Sequence, residues 1–414
     1  MRAPSPLVEE CAVEPMLEGV KVVELAQWGF VPSCATILAD WGADVVKVEH
    51  PRNGDPMRKI GSMGIGLPDF SGFNYMFEQL NRGKRSIGLD VSKPRGRDVF
   101  LDLIRQADVL VTSFLEPARK RLGVTYEEVA KVNPRLIYAR GHGQGQRGPD
   151  ADQPGFDVVS YWSRGGIGHL VSTKDGRFIK PWGGSGDLPG GMFLAGGIAA
   201  ALFRRSVTGK GGLVDMSLLG AAIWSSGVDI VPAYLSGKDI PKHGDEPRGN
   251  ALIGHYMTKD HRYIYLNMME SDRYWPGFCT ALGREDLAQH PHYADAPKRT
   301  QHCLELWELI KVEFGKATLA EWAERLRRNG CVWGPVQTPL EATRDVQVVE
   351  NGYMVEHPSR GKVKLASSPV QYNDRKVAVR SGAPLLGEHS EAILGALGYD
   401  TAKIEQLKSE GIVA

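Results

Sequence analysis

Apolar positions near the start of the chain fall in short runs separated by segments with helical spacing. G-V-K-V-V-E-L-A at 19–26 reads as a buried strand, 32–41 as a helix and A-D-V-V-K-V-E at 43–49 as a second strand; short apolar runs of this length fit strands covered on both faces. The alternation continues with R-S-I-G-L-D at 85–90, a helix over 99–106, D-V-L-V-T-S-F at 108–114, a helix over 126–132 and R-L-I-Y-A-R at 135–140. Strands alternating with helices predict a parallel sheet with crossover helices, an α/β fold of the doubly wound, Rossmann-like class.

From 141 to 191 the periodicity fades into Gly, Pro and polar residues, a length of irregular chain that usually serves function. A helix is expected from about 189 to 205, then a T-G-K-G-G turn, the strand-like L-V-D-M-S and an apolar segment to 235. The large domain therefore spans 17–235 and the polar stretch 236–250 reads as a linker. A smaller α+β domain follows over 251–342, with β signal in H-R-Y-I-Y-L-N-M and amphipathic helices at 275–282, 303–314 and 319–329. The segment 343–414 returns to the large domain, with a strand near 363–370 and a helix at 390–397.

The balance of 50 Lys plus Arg against 49 Asp plus Glu leaves a formal charge of +1, and no basic block is present to neutralise a row of phosphates, so nucleic acid is not an expected partner. The longest apolar stretch, 192–203, is shorter than the ~20 residues that a membrane-spanning helix needs. Residues 1 to about 16 read as a loose leader with acids and prolines where a secretion signal is basic and apolar. Five scattered cysteines without a C-x-x-C pair fit a reducing, cytoplasmic setting.

One carboxylate stands out. In W-G-G-S-G-D-L-P-G-G-M at 182–192, Pro189 suits the first turn of a helix, which places Asp187 at a helix N-terminus among five glycines. Such an aspartate can cap backbone N–H groups, or it can serve chemistry where glycines leave the backbone open to a ligand. Gly184, Gly186 and Gly190 imitate a dinucleotide fingerprint, but the spacing is one residue too long. No H-x-x-x-H, H-E-x-x-H or G-x-S-x-G occurs, so neither a metal site nor a serine elbow is expected.

Several stretches taken in order resemble the class III CoA-transferases, a family that includes formyl-CoA, carnitine and bile-acid enzymes and is related to the α-methylacyl-CoA racemases. The carriers are L-E-G-V-K-V-V-E-L-A, L-A-D-W-G-A-D-V-V-K-V-E-H-P-R-N-G-D-P-M-R, N-R-G-K-R-S-I-G-L-D, G-S-G-D-L-P-G-G, T-G-K-G-G-L-V-D-M-S-L-L and L-G-E-H-S-E-A-I-L-G-A-L-G-Y. The resemblance implies a formyl-CoA/carnitine-type transferase that moves CoA from an acyl-CoA thioester to a carboxylic acid, with Asp187 as the nucleophile. An aspartyl anhydride and an aspartyl-CoA thioester are the implied intermediates, with no permanently bound cofactor. It further implies an interlocked homodimer.

By position, the resemblance puts Gln27 and Gly29 beside the reacting thioester and Trp28, His50, Arg52, Leu89, Lys93, Ser113, Phe114 and Arg121 on CoA. Family members often carry Asn at the position of Ser113 and a basic residue at that of His50, and some use a glutamine for the intermediates at that of Gly29, two positions after Gln27. Helix-start N–H groups and glycines around Asp187 are expected to stabilise oxyanions and keep the carboxylate ionised at neutral pH. The stretch 249–257 is the expected contributor to the acid-binding side of a partner subunit's site. Racemases of the family carry a histidine in a G-H-D segment; here P-G-F-D supplies Phe156, which moves no proton, followed by Asp157, and both are expected to wall the acyl site. A racemase is thus the runner-up, and a catalytically silent CoA-binding protein the reading from another class.

Overall fold

Six strands, β1 (Lys21–Leu25), β2 (Asp44–Glu49), β3 (Arg85–Gly88), β4 (Val109–Thr112), β5 (Ile137–His142) and β6 (Gly212–Ser217), pair in parallel in the order β3-β2-β1-β4-β5-β6. This is the order of the doubly wound nucleotide-binding sheet. The computed structural model describes residues 15–66, 68–242 and 244–414; most of the expected leader, with Cys11, lies outside them.

The two-residue alternation within each strand sends side chains to two separate cores. Val22, Val45, Val109, Val111, Ile137 and Ala139 pack on one face with α1 (Phe30–Asp40), whereas Val23, Leu25, Val46, Val48, Leu110 and Tyr138 pack on the other. The remaining helices of this part are α2 (Tyr75–Asn81), α3 (Pro94–Gln106), α4 (Glu116–Leu122), α5 (Tyr126–Val132), the single turn α6 (Ile167–Leu170), α7 (Asp187–Thr208), α8 (Leu218–Ser225) and α9 (Gly227–Ser236). Helix α3 begins at Pro94, five residues before the apolar spacing becomes visible, because proline suits a first turn. The irregular 141–191 stretch contains a wide turn over Val158–Arg164 and α6, and α7 starts at Asp187 rather than near 189.

The chain separates into two compact units. One comprises residues up to His169, Lys180–Ile240 and Gln347–Ala414; the other comprises Leu170–Ile179 and Pro241–Val346. The second unit holds an antiparallel sheet of β7 (Ile253–Met257), β8 (Tyr263–Asn267) and β9 (Trp333–Pro335), with α10 (Ser271–Leu282), α11 (Ala296–Gln301), α12 (Cys303–Phe314) and α13 (Leu319–Arg328). Within 249–257, the part from Ile253 onward is strand β7, fixed by its pairing with β8.

In the return segment, β10 (Met354–Glu356) and β11 (Lys364–Ala366) form a short hairpin. The helices Ser390–Ala396 and Thr401–Ser409 bury Ile393, Leu394, Ile404 and Leu407 against the β3 side of the main sheet. Among the described residues no single helix is long and apolar enough to cross a membrane; α8 and α9 pass that test only as a pair bent by 78°. Cys34, Cys279, Cys303 and Cys331 are free thiols.

Candidate functional site

Strands β1 and β4 lie side by side but their connections leave in opposite directions, so the sheet opens a crevice at their carboxyl ends, where open α/β sheets take ligands. The loops leaving these strands are tied together there. The Gln27 N–H donates to the Ser113 hydroxyl at 3.0 Å. The next residue, Trp28, has φ 71°, a left-handed conformation that bulky side chains rarely adopt. Its N–H donates to Asp55 at 3.1 Å, and its ring meets Phe156 edge-on at 5.4 Å between centroids. Gly29 then caps the start of α1.

Helix α7 crosses α1 at close range. A Cβ on Gly191 would overlap the Ser33 hydroxyl and the Cys34 backbone, and one on Gly190 would press into Phe30 and Leu218. Gly186 is likewise closed off by the Tyr161 ring. Three of the glycines around Asp187 therefore serve packing, which corrects the expectation that they open the backbone to a ligand. The glycine that makes room for the carboxylate is Gly29, because a Cβ there would overlap the Asp187 oxygen.

Asp187 is the first residue of α7 and is partly buried. Its carboxylate takes no hydrogen bond from a described residue. Burial, with the nearby Asp157 charge adding to it, pushes Asp187 up to about 7, contrary to the expectation that its surroundings hold it ionised. The expected donors at the helix start are already engaged. The Gly186 N–H points to Asp157 at 3.5 Å, the Leu188 N–H to the Gly184 carbonyl and the Gly190 N–H to that of Gly186. Asp157 also takes its own helix-turn N–H from Val158 at 2.7 Å and is buried.

A cavity of about 150 Å³ brings together Gln27, Trp28, Gly29, Ser113, Phe156 and Asp187. His142, at the end of β5, also lines it, but both ring nitrogens are occupied: Nδ1 accepts from the Gly145 N–H at 2.9 Å and Nε2 pairs with Asp215 at 2.9 Å. A larger cavity of about 510 Å³ opens over the carboxyl ends of β1 to β4 and is lined by His50, Leu89, Phe114 and again Gln27. Gln27 is thus common to both walls.

Arg52, Lys93 and Arg121 do not line either cavity. Lys93 is spent on the backbone carbonyls of Glu410 and Gly411, with Arg52 beside it, while Arg121 is exposed on α4 next to Leu122, which does line the larger space. Lys59, overlooked in the sequence, supplies a cation to the larger cavity.

Beneath the Gln27–Gly29 loop lies a buried charge cluster that sequence reasoning also missed. Glu24 and Lys47 are register partners on β1 and β2, joined at 2.7 Å, and Lys47 reaches Asp55 at 2.9 Å. Burial works against the Lys47 charge, but Asp55 and Glu24 outweigh it and hold its pKa above the ordinary lysine value. Burial draws Lys84 down to about 8 in spite of Glu24 at 2.7 Å. The only hint of this in the sequence is a charged residue inside each of two strands that are otherwise apolar, V-V-E-L and V-V-K-V-E.

In the second unit His292, His302 and Glu305 bring ligand-type atoms within 4.8 Å of one another. The two imidazoles are stacked, 3.9 Å apart with 6° between planes, and the in-plane lone pairs of parallel rings do not converge on one ion.

The family model for CoA-transferase family III matches residues 17–390. The (R)-2-hydroxy-4-methylpentanoate CoA-transferase of Clostridioides difficile is 31% identical over 400 residues, covering 96% of this chain and 99% of that protein. The cinnamoyl-CoA:phenyllactate CoA-transferase of Clostridium sporogenes is 30% identical, covering 95% of this chain and 96% of its own. Among solved structures, a CAIB/BAIF family protein from Brucella suis superposes with a TM-score of 0.79 at 29% identity, covering 93% of this chain and 100% of that one.

Proposed function

The chain belongs to CoA-transferase family III, and on that premise we propose that it moves CoA from an acyl-CoA thioester to a carboxylic acid, with Asp187 as the carrier. The observation that carries this reading is the placement of Asp187. Its carboxylate, without a hydrogen-bond donor among the described residues, lies against Gly29 in a cavity whose Gln27 wall it shares with the larger cavity at the strand ends.

The larger cavity takes the nucleotide end of CoA, and the thioester reaches Asp187 past Gln27. The ionised carboxylate attacks the thioester carbonyl, the C–S bond breaks, and CoA thiolate leaves a mixed anhydride. The thiolate then attacks the aspartyl carbonyl, which forms the aspartyl-CoA thioester and releases the first acid. The acceptor carboxylate attacks that thioester to give a second anhydride. Returning thiolate attacks the acceptor's acyl carbon, so the new acyl-CoA departs and Asp187 is restored. A poorly solvated carboxylate is a better nucleophile once ionised, so burial favours the first step above the pH at which Asp187 loses its proton. The relatives named above act on different acids, so the acceptor is assigned here only as a carboxylic acid. The working form is a cytoplasmic homodimer.

Asp187→Asn keeps a side chain of the same size and capping ability but removes the nucleophilic oxygen. It should fold and bind CoA while transfer stops. Hydroxylamine added to the wild-type enzyme with acyl-CoA should convert Asp187 to a hydroxamate, read by peptide mass spectrometry. An Asp187→Asn enzyme that transfers CoA at a substantial rate would overturn the mechanism. Racemase chemistry would instead show as solvent deuterium at the α-carbon; Phe156 and the fully engaged His142 give it no proton carrier.

A further inference from the structure

Trp28 sits in a conformation that its side chain disfavours, and it does so between two groups assigned to chemistry. On one side Gln27 walls both cavities; on the other Gly29 receives the Asp187 carboxylate. Something must hold the turn. On the Ser113 side the anchor is a neutral hydroxyl at the Gln27 N–H. On the other side it is Asp55, fully buried, whose Oδ1 accepts from the Trp28 N–H at 3.1 Å and the Met57 N–H at 3.0 Å.

The second Asp55 oxygen accepts from Lys47 at 2.9 Å, and the same ammonium donates to Glu24 at 2.7 Å and to the Ala26 carbonyl at 3.2 Å, at the end of β1. The Asp55 N–H is fixed in turn by Glu49 at 3.0 Å, which is itself gripped by Arg58 at 2.7 and 2.8 Å and by the Ser86 hydroxyl at 2.9 Å. Three cations, Lys47, Lys84 and Arg58, thus face three carboxylates, Glu24, Asp55 and Glu49, in the same buried layer. A buried ionic layer is a weak source of stability compared with apolar packing, so its best use is to specify one arrangement of the chain. Here the arrangement specified is the turn that carries Gln27 and Gly29.

We infer that Asp55, locked by Lys47, is a positioning residue for CoA transfer: it holds the Gln27–Trp28–Gly29 turn in its left-handed form so that Gly29 and Gln27 stay registered on Asp187. The inference rests on the transferase reading above and adds to it a residue that acts through the backbone, without touching the reacting atoms. Although Asp55 borders the larger cavity, both of its oxygens are directed to protein donors.

The test is Asp55→Asn, whose amide places a donor against the Lys47 ammonium and so loosens the lock. The folded variant should bind CoA within about threefold of wild type, the range expected for sites that do not couple. Its kcat should fall by roughly tenfold to a hundredfold, the penalty of misplacing a reacting group by about 1 Å. The acid limb of kcat/KM should also move below that of wild type as water reaches Asp187. A purely structural role would lower the melting temperature and leave the kcat and acid limb of the folded enzyme in place, which would overturn the inference; so would an unchanged kcat with a raised KM, the mark of a direct CoA contact.

A second comparison holds even if Asp55→Asn alone does not fold. Glycine adopts the Trp28 conformation without penalty. In a Trp28→Gly background, therefore, adding Asp55→Asn should cost less than about threefold in kcat, and an unfolded or much slower double variant would count against the inference. The two readings fail separately. No Asp187 adduct in wild-type protein sinks the transferase reading; an adduct in wild type with undiminished turnover in Asp55→Asn sinks only the positioning role.

Discussion

Asp187 faces two opposed demands, since the proposed nucleophilic role needs the ionised form while burial and the Asp157 charge favour the protonated one. A carboxyl raised to about 7 is mostly protonated below that pH, so kcat/KM should climb through an acid limb near 7 and level off above it. Asp157→Asn removes the neighbouring negative charge but leaves the burial, so the limb should move to lower pH without disappearing. Measuring kcat/KM from pH 5 to 9 for both proteins checks this. A limb that stays fixed in the variant would mean that burial alone sets the titration, or that another group is being read. A helix N-terminus ordinarily favours a carboxylate, but the Gly186 N–H just before α7 points to Asp157 and the Leu188 N–H to the Gly184 carbonyl, and neither is directed to the Asp187 carboxylate.

At the scale of elements, the site depends on how closely α7 approaches α1. An alanine is ordinarily better than glycine inside a helix by about 1 kcal/mol, yet Gly191→Ala would drive a methyl into the Ser33 hydroxyl and the Cys34 backbone. Overpacking of that kind costs about 1–3 kcal/mol, so the variant should be less stable than wild type despite its better propensity, and calorimetric melting reads the difference. An unchanged or higher melting temperature would show that the crossing can relax. The same crossing explains what could be read in the sequence. The strands of the main sheet are legible as short, largely apolar runs, β4 with both faces buried being the clearest, and Asp187 is legible because the glycines and Pro189 mark a helix start. The destination of those glycines is not, since a close helix crossing and an open ligand loop leave the same composition. Glu24, Lys47 and Asp55 are hidden for a related reason. Their pairing is set by the register of β1 on β2 and by the turn after β2, neither of which has a local pattern. Of the hairpin, β11 falls within the strand expected near 363–370, whereas β10 escapes because a strand of three residues is too short to show a period.

For the whole molecule, the open question is what covers α8 and α9. Trp224 is 79% exposed, Val228 84%, Tyr234 84% and Leu235 78%, a density of bare apolar side chains that isolated soluble chains rarely carry. Phe203 and Val207 on α7 are bare as well, at 74% and 73%. A membrane is a poor occupant, because the two helices are bent by 78° and Asp229 lies in the first turn of α9. A second copy of the chain meets the requirement without any further component, and interfaces of permanent homodimers are the apolar kind. The protein should therefore sediment as a dimer down to submicromolar concentration, with no folded monomer in equilibrium. Charges placed in the face by Trp224→Glu together with Tyr234→Glu should prevent that association and leave aggregated or inactive protein, although neither residue lines either cavity at the strand ends. Sedimentation velocity across a concentration series decides between the alternatives. A wild-type chain that runs as a folded, active monomer would mean that this face is covered by something other than its own copy.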